Sequence, residues 1–242
     1  MERHLDSNNV ASGAILVLGM HRSGTSCLAG SLQQRGLHLG EVYEWRPYNL
    51  KGNRENQRIM DLNNAVLAHG GGSWDRPPQH VSWSPAQAAE RDAIVRELRE
   101  GCAGAWGFKD PRTLLTLAFW RDGIADARLV GTFRHPAQVA RSLHARDPNM
   151  SLARGLELWR QYNERLLACH EQAAFPLLSF DADEETYRRS VDVAARHLGL
   201  AGTPSAEEFF ERSLRTSEAD PGIDIPAPVM RVYERLLEAA GA

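Results

Sequence analysis

A three-layer α/β/α domain built on a central parallel sheet is the fold this sequence predicts, on three observations. Short, continuous apolar runs alternate with amphipathic stretches. Each run ends at a polar or glycine-rich turn. The 242 residues suffice for one full hydrophobic core and are short for two. Apolar runs without polar alternation mark strands covered on both faces. Strands alternating with helices give a parallel sheet wrapped on both sides, and ligands of such sheets sit at the carboxyl ends of the strands.

The elements follow in order. Residues 1–12 are polar and form a flexible N-terminus, leaving 13–242 as a single domain. Ala14-Ile-Leu-Val-Leu18 is the first strand, and Gly24 to Gln34 a helix with Leu28 and Leu32 on one face. Residues 37–52 form a loop, and Asn53 to Ala68 has helical spacing through Ile59, Leu62 and Val66. A glycine triplet and a proline pair make 70–83 irregular. Ser84-Pro85 is an N-cap followed by proline at the first helical position, and the helix runs to about residue 100. Strands are expected at 105–109, 127–133 and 175–180, and helices at 137–145, 151–172, 183–198, 205–212 and 227–240. The stretch of about 40–100 reads as an insertion that forms an acceptor pocket or lid.

Composition excludes several classes. A net charge of −3 gives no global basic field for nucleic acid. The apolar run Ala14–Met20 is too short to cross a bilayer, which needs about 20 residues, and it reads as a buried strand rather than a signal peptide. Cys27, Cys102 and Cys169 are far apart and odd in number, which fits a reducing, cytoplasmic setting. No metal-ligand spacing is evident, and the oligomeric state is left open.

Two segments carry chemistry. Gly19-Met20-His21-Arg22-Ser23-Gly24-Thr25-Ser26 lies between a strand and a helix. Its glycines let backbone N–H groups turn inward at a helix start, which makes an anion cradle, and Thr25 and Ser26 add hydroxyls. A nucleotide-triphosphate loop would carry Lys at position 25; here the cation is Arg22. The second segment is Leu129 to Ser142. Arg134 ends a strand, and Ser142 lies eight residues later on the helix that Pro136 opens. Guanidinium and hydroxyl can then converge on one anion.

The first octet resembles the 5′-phosphosulfate loop of the sulfotransferase family, with Arg22 where many members have Lys. The second segment is similar to that family's 3′-phosphate motif, an Arg and a Ser eight apart across a strand-to-helix turn. Two such sites about 110 residues apart match a nucleotide phosphorylated at both ends. The resemblance implies a P-loop nucleotide-kinase-like sulfotransferase fold. It also implies 3′-phosphoadenosine-5′-phosphosulfate (PAPS) as donor, adenosine 3′,5′-bisphosphate (PAP) as product, no metal, and a hydroxyl or amine of a small-molecule or carbohydrate acceptor. His21 to Ser26, Arg134 and Ser142 would bind the donor. Trp159-Arg-Gln-Tyr-Asn163 and Pro176-Leu-Leu-Ser-Phe-Asp181 resemble later parts of the family pattern. The Arg-Lys-Gly loop that wraps the 3′-phosphate in many cytosolic members is missing, and Arg212 and Arg215 are candidate substitutes.

The chemistry needs a cation for the leaving oxygen and a base for the acceptor proton. Lys109, in Gly107-Phe-Lys-Asp-Pro-Arg112, resembles a family lysine two residues before the catalytic His, whose place Pro111 takes here. Lys109 or Arg112 then stabilises transferred charge. The base becomes a carboxylate: Glu55 first, in an Asn-x-x-Gly-x-x-Glu stretch similar to that of bacterial relatives, Asp110 second, and His21 third. Glu55 reads equally as a first-turn helix acid. Tyr43, Trp45, Tyr48, Trp74 and Trp83 are candidate pocket walls or core filler. Two rival functions stand: a small-molecule kinase using ATP, disfavoured by Thr25, and a catalytically silent nucleotide-binding protein.

Overall fold

A computed structural model describes residues 13–43, 52–202 and 222–241. Strands β1 (Ala14–Leu18), β2 (Trp106–Lys109), β3 (Arg128–Phe133) and β4 (Leu177–Ser179) form one sheet in the order β2-β1-β3-β4. Every pairing is parallel, with Val17 opposite Lys109, Leu18 opposite Gly131, and Phe133 opposite Ser179. Eight helices connect or flank the strands among the described residues: α1 (Thr25–Gln33), α2 (Gln57–His69), α3 (Pro85–Glu100), α4 (Leu117–Gly123), α5 (Pro136–Arg146), α6 (Leu152–Gln172), α7 (Glu184–His197) and α8 (Ala227–Ala240).

The period-two geometry of a strand sends successive side chains to opposite faces. In β1, Leu16 and Leu18 join a core with α2, α3, α4, α5, α6 and α8, whereas Ile15 and Val17 join a second core with α1 and α7. All five residues of β1 are buried, which is why its sequence is apolar without alternation. The three layers predicted are thus present. Because the sheet is parallel, the ends of β1, β2 and β3 open onto one edge of the domain.

Three local outcomes differ from expectation. The second helix begins at Gln57 rather than Asn53. Asn56 is its cap, accepting from the N–H groups of Arg58 and Ile59, and Arg54 sits at φ 52°, a left-handed backbone that cannot lie inside a right-handed helix. Glu55 is therefore a loop residue, not a first-turn helix acid. A 3-10 turn over Pro111–Leu114 and α4 follow β2, neither of them expected; Asp110 opens the turn by accepting from Arg112 N. β4 is shorter than the run Phe175–Phe180. The helix expected at 205–212, Arg212, Arg215, Trp45 and Tyr48 lie outside the described residues.

Candidate active site

The turn between β1 and α1 is shaped by two glycines. Gly19 has φ 147°, and a Cβ there would lie 2.4 Å from Thr132 O. Gly24 has φ 83°, and its Cβ would lie 2.3 Å from the Phe180 ring. No other residue fits either place. Gly24 is also the N-cap of α1 and gives it no side-chain cap, so no capping side chain occupies the first N–H groups of the helix. Ser23 and Thr25 are buried. Ser23 O accepts from Thr132 Oγ1 at 3.2 Å, tying the loop to β3.

Arg22, at φ 68°, is the left-handed non-glycine residue of the loop. For a non-glycine residue this conformation costs roughly 1–3 kcal/mol. It aims the side chain across the sheet edge, where Nε donates to Ser142 Oγ at 2.7 Å. The two segments singled out in the sequence, 120 residues apart, thus touch. Burial, then the charges of Arg146 and Arg134, lower the pKa of Arg22. Arg134 is buried, lies over the Phe180 ring at 5.5 Å, and has Nε 3.8 Å from Asp181 Oδ1. Its carbonyl accepts from Trp159 Nε1 at 2.9 Å. Asp181 Oδ2 also accepts from His135 N at 2.5 Å and from Tyr233 OH at 3.4 Å. The turn that presents Arg134 is therefore braced from β4, α6 and α8.

At the end of β2 the charges are paired. Lys109, 1% exposed, donates to Glu55 Oε1 at 2.6 Å and to Ser26 Oγ at 3.2 Å. Asn53 Nδ2 donates to Glu55 Oε2 at 2.7 Å, and Ser26 Oγ donates to Asn53 O at 3.1 Å. Lys109 thus links the anion loop to the carboxylate. Asp110 is fully buried: Oδ1 accepts from Arg112 N and Nη1, and Oδ2 from Asn63 Nδ2 at 3.2 Å. Burial pushes its pKa up, Arg112 opposes this, and Glu55 adds to it. Asn63 is itself fixed, its Oδ1 accepting from Thr116 Oγ1 at 2.6 Å and Trp120 Nε1 at 2.8 Å.

His21 stands between these halves. Its ring lies 4.8 Å from Trp74 and edge-on to Tyr162 at 6.1 Å. Burial, then Arg112, Lys109, Arg146 and Arg22, hold its pKa well below the ordinary 6.5, so it is neutral at pH 7. The segment around Trp74 is held from α6: Tyr162 OH donates to Trp74 O at 2.9 Å, Arg165 Nη2 to Pro78 O at 3.3 Å, and Arg154 Nη2 to Asp75 O. Trp83 instead packs on Phe119 in the core, and Tyr43 OH bonds Gln57 at the start of α2. Of the aromatic residues singled out in the sequence and described here, Trp74 is the one against the loop.

The structure therefore gathers His21, Arg22, Ser26, Glu55, Lys109, Asp110, Arg134 and Ser142 at one sheet edge. It adds Arg146, Asn53, Asn63 and Asp181, which sequence reasoning missed. Arg146 had a signal, its place four residues after Ser142 on one helix. Asn63 had none, since it sits inside an amphipathic helix. No group of three or more His, Cys, Asp or Glu side chains suited to a metal occurs among the described residues. No helix among them is long and apolar enough to cross a membrane.

Comparison with solved structures decides the fold. The sulfotransferase domain of the Synechococcus PCC 7002 olefin synthase superposes with a TM-score of 0.58 at 16% identity, over 93% of this chain and 94% of that one. The fold is that of a sulfotransferase domain. The sulfotransferase domain from the curacin biosynthetic pathway agrees, with a TM-score of 0.56 at 13% identity, over 93% of this chain and 97% of the other. Both matches span more than nine-tenths of each chain. No family model and no curated protein sequence matches the chain.

Proposed function

We propose that the protein transfers a sulfuryl group from PAPS to a hydroxyl or amine of a small-molecule or carbohydrate acceptor. The contact of Arg22 Nε with Ser142 Oγ carries this reading, because it makes one continuous site of two anion cradles. A donor with phosphate at both its 3′ and 5′ ends needs such a pair. The residues fit it: the uncapped start of α1 offers N–H groups, and Arg22 and Arg134 bring charge. Arg22, the turn Ser23–Ser26 and the backbone beside His21 take the 5′-phosphosulfate; Arg134 and Ser142 take the 3′-phosphate.

Lys109 and Glu55 then share the transfer. The bond from the acceptor oxygen to sulfur forms as the bond from sulfur to the bridging oxygen breaks, and PAP leaves with the bonding pair. Glu55 takes the acceptor proton. Lys109, bonded to the Ser26 hydroxyl of the loop, faces the charge that develops on the leaving oxygen. The burial of Asp110 and its two bonded oxygens support a positioning role: it holds Arg112 beside His21. The acceptor approaches between Trp74 and Glu55, from the 40–100 side. A cytoplasmic setting fits three free thiols.

The test is transfer of labelled sulfate from PAPS to a panel of sugars, phenols and amines. Labelled product is expected with at least one class. Phosphorylation of the same panel from ATP, without sulfate transfer, would instead establish the kinase reading.

A further inference from the structure

We infer that Arg146 is the closing arm of the 3′-phosphate clamp and sets the preference for a 3′-phosphorylated donor. The inference rests on the donor reading above. Arg146 lies four residues after Ser142 on α5, hence on the same face one turn further on. A helical side chain leans over the turn N-terminal to its own Cα, which for Arg146 is the turn of Ser142. Arg134 and Ser142 are buried and held in place, whereas Arg146 is exposed and no hydrogen bond or ion pair ties it to another described residue. It is a long cation at the rim of a site whose other donors are fixed.

Charge gives the reason for a third arm. A phosphate monoester carries about −1.5 to −2 at pH 7. Arg22 serves the 5′ end in this reading, and part of the Arg134 charge already faces Asp181 at 3.8 Å. The 3′-phosphate is left short of positive charge, and Arg146 supplies it. Like charge is crowded here without ligand: burial and then Arg146 lower the pKa of Arg22, and burial, Arg112, Lys109 and then Arg146 lower that of His21. A trianion or tetra-anion relieves that repulsion, so the arm closes on the nucleotide rather than on the empty site. A cation that merely complements the C-terminal dipole of α5 would have no preference between nucleotides.

The experiment is calorimetric titration of the full chain with PAP and with AMP, for the native protein, R146A, R146K and R146E. Native protein should prefer PAP. In R146A that preference should fall about tenfold, the lower end for a bond to a charged group, with the melting temperature unchanged. R146K should keep part of it, and R146E should fall below R146A. A native protein with equal affinity for PAP and AMP overturns the donor reading and this inference with it. A native preference that R146A preserves within twofold overturns the role of Arg146 alone and leaves the donor reading standing.

Discussion

At the end of β2, Lys109 is bonded to Glu55 and Arg112 to Asp110, so each cation carries its own acid. Around Ser142, Arg22, Arg134 and Arg146 crowd together, with Asp181 standing 3.8 Å from Arg134. In the first half each cation has its acid before any ligand arrives, and the geometry is set by folding. The second is under self-repulsion and is completed by an anion. The difference separates two tasks. In the proposed reading, reacting groups are preorganised where charge must be spent on the transition state, and affinity is generated where like charges crowd.

The largest effect should come from breaking the paired half at its base. Glu55→Gln keeps size but removes basicity, and its amide oxygen can accept from only one of Lys109 and Asn53. Sulfate transfer from PAPS should drop by roughly 10²–10⁴-fold, while PAP affinity measured by calorimetry barely moves. Equal activity in Glu55→Gln, with Asp110→Asn inactive and folded, would pass the role to Asp110.

Next in size is a stability effect that sets the halves against each other. Lys109→Met leaves the buried Glu55 without its cation, a change that costs roughly 3–5 kcal/mol. Arg22→Ala removes a like charge from a crowded site, so urea denaturation should register a loss of less than about 1 kcal/mol. If the two variants lose equal stability, the contrast between the halves is wrong. Ligand binding should invert the order. Arg22→Ala should weaken PAP by ~1.5–3 kcal/mol, the worth of a bond to a charged group, and Lys should restore part of it.

The smallest effect is a pH dependence at the junction. The folded pKa of His21 lies below its unfolded 6.5. Between those two values the unfolded chain binds a proton that the folded chain refuses, so stability is full above 6.5 and falls as the pH drops toward the folded value. His135, lowered mainly by burial, acts in the same sense. His21→Gln should therefore flatten the stability profile below pH 6.5. An unchanged slope would mean that neither burial nor the neighbouring cations bear on the protonation of this ring.

The sheet was legible because strands buried on both faces leave an uninterrupted apolar run, as in Ala14–Leu18 and Leu129–Phe133. The turns that carry Arg22 and Arg134 were legible because strand-turn-helix punctuation surrounds them. What could not be read was how distant segments meet. Asn53 and Asn56 are equally good caps, and the left-handed Arg54 between them decides which is used. That decision takes Glu55 out of a helix and puts it on Lys109. Arg146 reads as an ordinary basic residue in a last helical turn until Ser142 is seen against Arg22. Asp181 and Tyr233 serve Arg134 from other elements, which no local pattern records.

The segment from Trp74 to Pro78 is fastened to α6 through its main-chain carbonyls, by Arg154, Tyr162 and Arg165. Carbonyls are common to every amino acid. The path of this segment is thus indifferent to most of the side chains it bears, and those beside Trp74 can be exchanged without redrawing the wall. If the acceptor enters here as proposed, selection or a designer can retune which one is admitted while the residues across the site stay untouched. In that reading, exchanging the exposed Arg76 alone should shift the acceptor profile and leave donor affinity and melting temperature where they were.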